Sequence, residues 1–191
     1  MMNKFLNFFF LISGAFIAQQ SFADTESFKV YTQCHDEMEW SCDVIREVGD
    51  KKTKIYNGLK SPQIERLNKN YYHVQMSCGS PCQIHRFLAK NKKADDTTQE
   101  FIAIDTQHNC LIETDSDQNK ITARQLNSKK SYTLISTQHH IFQNVPIFDI
   151  AQYTAFQGSS YFDQNGNLIL VADEIDDQVK FKKVFPNPCR L

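Results

Sequence analysis

The stretch Tyr71 to Lys90, YYHVQMSCGSPCQIHRFLAK, carries two alternating segments on either side of a Cys78-Gly-Ser-Pro-Cys82 run. Gly79 accepts backbone angles closed to other residues, while Pro81 fixes its own and pushes Ser80 towards an extended form, so the chain can reverse within three residues. The run therefore predicts a β-hairpin. Cys78 and Cys82 would meet across it, and a ring that short constrains the unfolded chain by only ~2 kcal/mol. Its use is then to hold one loop shape. A hairpin staple is the plainer reading, and a recognition loop presenting Gly79, Ser80 and Pro81 is the functional one.

The surrounding chain repeats the pattern. Phe28 to Gln33 and Asp43 to Val48 are short β-branched and aromatic runs, read as an antiparallel pair joined by a longer loop. A strand near Lys54 to Asn57 follows, Gly58 and Ser61-Pro62 act as breakers, and Ile64 to Lys69 is ambiguous, with a short helical turn as one option. Asn91 to Gln99 is charged and apolar-poor, as a solvated loop would be. Phe101 to Asp105, Cys110 to Thr114, Lys120 to Leu126 and Tyr132 to Ser136 then come at regular intervals, as in a meander. His139 to Gln152 interrupts it as a crossing loop containing Pro146. Tyr161-Phe162, the Asn165-Gly166 turn, Leu168 to Ala172 and Val179 to Phe185 resume it. With no sustained helical period, the expectation is an all-β, single-domain antiparallel meander stapled by disulfides, built as a β-sandwich or open barrel; a very small propeller is the remaining alternative.

Residues 1 to 23 have the parts of a secretory signal peptide: Lys4, an apolar run from Phe5 to Ala18, and Ser21-Phe22-Ala23 at the cleavage point. Cleavage near Ala23 would leave residues 24 to 191 as one β domain, periplasmic or secreted, with no membrane span in the mature chain. All six cysteines lie in the expected mature chain, the first being Cys34, and an even number in an exported chain favours disulfides. Several pairings are open. The favoured set is Cys78 with Cys82, Cys34 with Cys42, and Cys110 with Cys189 by elimination, the last closing about 80 residues for ~4.5 kcal/mol. Exchange among Cys34, Cys42, Cys110 and Cys189 is the alternative. The formal net charge of −1 offers no concentrated positive field, so nucleic acid is not an expected partner.

Chemistry is sparse. G-x-S-x-G is missing and Gly158-Ser159-Ser160 lacks its second glycine; no phosphate-cradling glycine loop occurs, and no cofactor is expected. The acid pairs Glu37 and Glu39, Asp95 and Asp96, and those within Asp173 to Asp177 stand in polar segments where solvated charge is the ordinary explanation. Cys78, Cys82 and His85, with His73 or His108, could in principle hold zinc, but a C-x3-C pair in an oxidising compartment closes on itself more readily, so no metal is expected. Asp115 to Leu126 opens like a calcium loop but has Lys120 and Leu126 where glycine and glutamate are required. His139-His140 reads as an exposed loop pair. An enzyme would need a site assembled from distant residues.

One loop suggests recognition. Asp36, Glu37, Met38, Glu39 and Trp40 place the only tryptophan beside three carboxylates and a methionine inside a possible disulfide ring. Stiff aromatic loops lose little entropy on docking, and an exposed Trp40 would suit a basic protein partner; the alternative is that Trp40 folds back to cap the sheet.

The Ser77-Cys-Gly-Ser-Pro-Cys82 run, with flanking strands and a later strand containing Ala103-Ile-Asp105, resembles a pattern in uncharacterised small exported proteins of Gram-negative bacteria. More loosely, a signal peptide before a small disulfide-closed β domain is similar to periplasmic inhibitor and immunity proteins, which carries over no functional residue. The resemblance implies a soluble, non-catalytic periplasmic binding protein that occludes a partner through rigid loops. A periplasmic hydrolase with a dispersed site, or a structural envelope protein, is the alternative.

Overall fold

The computed structural model describes residues 27–80, 82–148, 151–173 and 179–190. The expected signal peptide, Pro81 and the acids from 174 to 177 lie outside them. Four antiparallel sheets follow one another along the chain. Sheet I is β1 (Phe28–Cys34), β2 (Cys42–Val48) and β3 (Lys51–Leu59); sheet II is β4 (Gln63–Arg66), β5 (Tyr71–Ser77), β6 (Gln83–Ala89) and β7 (Asp96–Thr98). Sheet III is β8 (Phe101–Asp105), β9 (Cys110–Asp115), β10 (Lys120–Gln125) and β11 (Ser131–Ser136); sheet IV is β12 (Tyr161–Phe162), β13 (Leu168–Asp173) and β14 (Val179–Phe185). Each strand pairs with its sequence neighbour, so the architecture is an open all-β sandwich rather than a closed barrel.

Alternation decides which face of each strand is buried. On β5, Tyr72, Val74 and Met76 face sheet I and join Phe28, Val30 and Val44, while Tyr71 meets Phe101, Ile104 and Leu111 of sheet III through Phe87. Sheet III buries its other face, including Ile102, Ile112, Ile121 and Ile135, against Leu168, Leu170 and Ala172 of sheet IV. Phe142, Val145 and Phe156 of the 139–152 crossing and the segment after it fill that same core. The crossing carries 3-10 turns at His140–Phe142 and Gln152–Ala155, as Pro146 suggests it must avoid a ladder.

The turns use the expected chemistry with local differences. Asn109, Asn119 and Asn127 take positive φ in the turns of sheet III, where asparagine substitutes for glycine. In the hairpin before β13 only Gly166 has positive φ; Asp163 organises the loop by accepting from the amides of Asn165 and Asn167. That loop is thus longer than a two-residue turn.

Three segments differ from the sequence reading. Gly58 does not end its strand: β3 continues through it with a register shift, φ is +63°, and its amide donates to Asp43 Oδ1 at 3.1 Å. The ambiguous stretch after Pro62 forms β4, because Ile64 can pair opposite Val74 at the sheet edge. Within Asn91 to Gln99, β7 pairs with β6, and Asp95 and Asp96 are anchored rather than free.

The three disulfides are Cys34–Cys42, Cys78–Cys82 and Cys110–Cys189. The first closes the end of the β1–β2 ladder, where the two residues are register partners. The third ties the buried end of the chain to β9. No helix among the described residues is long and apolar enough to cross a membrane.

Candidate functional site

The loop between β1 and β2 is built from inside outward. Below the Cys34–Cys42 bridge, the His35 amide donates to the Ser41 carbonyl at 2.9 Å, extending the ladder one step. The Asp36 carboxylate accepts from the Trp40 amide at 2.9 Å and the Ser41 amide at 2.8 Å, the way aspartate closes a tight loop. Glu39 takes φ of +55°, and its carbonyl accepts from the Ser61 amide at 2.7 Å, so the loop is also held from the β3–β4 connection. Asp36 is therefore a positioning residue, with both oxygens turned to loop amides. Glu37 and Glu39 are exposed.

This scaffold presents an apolar pair to solvent. Met38 is 67% and Trp40 59% exposed, so Trp40 does not fold back over the sheet. The Lys60 ammonium stands 5.2 Å from the Trp40 ring centroid, a cation over the π face. At the root, Asp43 is buried and bonded by Lys54, by the Gly58 amide and by His35 at 3.1 Å. The Lys54 bond foremost, with the other donors, outweighs burial and holds its carboxyl down at about 2.

The second candidate loop is exposed from Ser77 to Ser80. The Cys78 amide donates to the Cys82 carbonyl at 3.2 Å, and Gly79 lies at φ +110° with open space where a Cβ would stand. Backbone conformation is the reason for glycine there, since bulk is not constrained. Among the described residues, no hydrogen bond, ion pair or ring contact joins this loop to the Asp36–Trp40 loop; they occupy different hairpins.

The histidines named as possible metal ligands do something else. His73 Nε2 and His85 Nδ1 lie 2.8 Å apart, and Gln157 Nε2 sits 3.1 Å from His85 Nε2 and donates to Gln83 Oε1 at 2.9 Å. Gln75 donates to the same oxygen at 2.8 Å. One set of roles satisfies this chain: Gln157 donates to His85 Nε2, and His85 Nδ1–H donates to His73. Both rings are then neutral. Burial lowers each to about 4, the neighbouring His73 ring adding to the effect on His85. Stacked against Phe87 and Phe101, they form part of the packing between sheets II and III. Cys78 and Cys82 are bonded to each other, and the described residues contain no group of three or more His, Cys, Asp or Glu positioned to hold a metal.

A comparison with known protein families and with curated proteins finds no match.

One acid–base contact among the described residues joins His108 and Asp105. His108 Nδ1 lies 2.6 Å from Asp105 Oδ2, but Asp105 Oδ1 also accepts from the Gln107 and His108 amides, which makes the pair a turn lock. The nearest groove, about 490 Å³ between β8 and β12, is lined by Asp105 and Ser160. Ser160 Oγ is engaged on both sides by the Val171 backbone. Among the described residues, no serine or threonine hydroxyl hydrogen-bonds to a histidine ring, the contact a nucleophile–base pair requires.

The sequence reading missed two arginines. Arg46 of β2 is 4% exposed and pairs with Asp95 at 2.5 Å; Arg124 of β10 reaches Asp96 at 2.5 Å and Glu113 at 2.6 Å. Burial alone would lower the Arg124 pKa, but the two carboxylates more than reverse this and raise it. Two adjacent aspartates, Asp95 after the Lys92–Ala94 turn and Asp96 at the start of β7, thus tie this edge to β2 of sheet I and β10 of sheet III. The available signal was parity: Arg46 stands two residues from both Val44 and Val48, on the same inward-packing face of β2.

Proposed function

We propose that this is an exported, non-catalytic binding protein of the inhibitor or immunity type, occluding a basic surface of a protein partner with the Cys34–Cys42 loop. The observation that carries the reading is the exposure of Met38 and Trp40 on a loop whose backbone is already bonded in place. An apolar anchor needs a fixed support to convert burial into affinity, because loop ordering otherwise opposes association. Exposed Glu37 and Glu39 flank the anchor and favour cationic partner surfaces, while the export leader expected at residues 1 to 23 and the disulfides fit an envelope or extracellular setting.

The test is to crosslink from position 38 in envelope fractions, purify the captured protein and measure its affinity for the parent chain and for Trp40→Ala. Saturable one-to-one binding that weakens at least ~10-fold in Trp40→Ala, an anchor-sized loss, supports the reading. Association should also slow in Glu37→Lys/Glu39→Lys. Equal affinity of parent and Trp40→Ala, or no saturable partner, refutes it.

A further inference from the structure

The seam between sheets I and II opens into a recess on β6. Ile84, Arg86 and Leu88 alternate with His85 and Phe87, so Arg86 lies on the face turned to sheet I, away from the histidine pair. The register sets it between Val74 of β5 and Thr97 of β7. Around it lies a space of about 640 Å³, lined by Tyr56 of β3, Met76 of β5, Ile84 and Arg86 of β6, and the segment from Thr97 to Glu100. Met76 and Ile84 belong to the apolar packing shared by the two sheets and give the recess an apolar wall.

The Arg86 guanidinium is half-buried and only partly engaged. Its Nε donates to the Tyr56 hydroxyl, which fixes the orientation of the planar group. Among the described residues, Nη1 and Nη2 have no hydrogen-bond or ion-pair partner. Unlike Nε and Nη1 of Arg46, they keep accessible surface, so a molecule in the recess can reach them. The other arginines between sheets are met by carboxylates, Arg46 by Asp95 and Arg124 by Asp96 and Glu113. Glu100 lines the same recess but accepts from Thr114 Oγ1 at 2.7 Å and the Ser116 amide at 3.0 Å, and it stands beyond ion-pair reach of Arg86. The recess thus joins an oriented, reachable cationic fork to an apolar wall.

We infer that this recess binds a monocarboxylate carrying an apolar chain, with the carboxylate on the Arg86 fork and the chain against Met76 and Ile84. Two parallel N–H bonds from Nη1 and Nη2 match the two oxygens of a carboxylate end-on. Because Nε is already held by Tyr56, the fork loses little freedom when a ligand docks. The Glu100 carboxylate opposes a second negative charge in the recess, which favours a singly charged ligand over phosphate. Small ligands are typically held in pockets of about 300–1,000 Å³ walled by apolar side chains with a few polar groups, the composition found here. A free carboxylic acid and the C-terminus of a peptide share this chemistry. The site has no residue in common with the proposed docking loop, so either can fail alone.

The experiment titrates the purified protein calorimetrically at low ionic strength in three arms: hexanoate, the peptide acetyl-Ala-Ala-Leu with a free C-terminal carboxylate, and the same peptide amidated at its C-terminus. Saturable one-site binding of hexanoate or of the free-acid peptide is expected, with none of the amide, and the tighter of the two carboxylates names the source. Arg86→Gln should lose at least ~10-fold in affinity, the size of a charge-assisted pair. Gln99→Glu should fold normally, the side chain being exposed, and should lose ~3-fold through repulsion at the rim. Circular dichroism checks the fold of both, and if Arg86→Gln is misfolded the Gln99→Glu affinity decides. Binding of neither carboxylate, equal binding of the amide, or an unaltered affinity in either folded variant would overturn the assignment.

Discussion

Among the described residues, sheets III and IV enclose sixteen buried residues in one apolar cluster, whereas sheets I and II share seven, beside the buried charges Asp43 and Arg46 of β2. The first pair is held by packing and by Cys110–Cys189. The second is held by less apolar area and by polar groups that must find particular partners. The docking loop lies at one end of sheet I, because an exposed aromatic can be kept where the core does not require every position. Burial of apolar surface supplies most of the stability of such a domain, so the half that has more of it can carry the other.

That contrast can be broken by removing the long bridge. Cys110→Ala/Cys189→Ala frees a loop of 79 residues and should cost ~4.5 kcal/mol in the loop-entropy account, against ~2.5 kcal/mol for Cys34→Ala/Cys42→Ala. Urea denaturation measures both, and equal losses would refute the division. Next in size, Leu170→Ala empties a fully buried position of sheet IV and should cost about 3 kcal/mol. A loss below about 1 kcal/mol, smaller than any buried leucine truncation of that kind, would show that the III–IV core is loosely packed.

The seam between sheets II and III should be sensitive to acid. His73 and His85 are lowered from 6.5 to about 4 by burial. As pH falls, the unfolded chain takes up protons first, near 6.5, and the folded chain does so only near 4. Their contribution is therefore intact above 6.5, declines between 6.5 and 4, and is flat below, for a loss on the order of a few kcal/mol. Unfolding midpoints between pH 7.5 and about 4 follow this directly. His73→Phe/His85→Phe should flatten the slope, and an unchanged slope would exclude these rings as its cause.

The smallest effect sharpens the comparison most. Trp40→Ala should change stability by no more than about 0.5 kcal/mol, as an exposed side chain without core contacts should. A larger loss would mean that Trp40 and Lys60 brace sheet I, which removes the reason to regard the loop as a presenting surface.

The chain order of strands was legible wherever residues alternate between turns. Phe28 to Gln33, Tyr71 to Ser77 and the spaced segments of sheet III read directly as ladder elements, since period two and the Asn, Gly and Pro positions act locally. The short-range bridges were legible for the same reason. Misreadings occurred where a local breaker was overruled: Gly58 stays in β3 as a register shift bonded to Asp43, and the polar run near Asp96 gains a strand because β6 offers an open edge. The docking loop was visible as composition, but the exposure of Trp40 was not, since it depends on Asp36 turning inward and on Ser61 holding Glu39 from another connection.

Local patterning by itself determined that this chain forms antiparallel strands and where most of them lie, and it favoured the bridge across the Cys78–Cys82 turn, because those properties depend on a residue and its near neighbours; the Cys110–Cys189 bridge spans 79 residues and needed the fold. Tertiary structure alone decided that Asp95 and Asp96 reach arginines on two different sheets and that His73 and His85 are neutral packing groups. Coulombic and hydrogen-bond partners are chosen by distance in space, and here the partners lie tens of residues apart, from Arg46 to Asp95 and from His85 to Gln157.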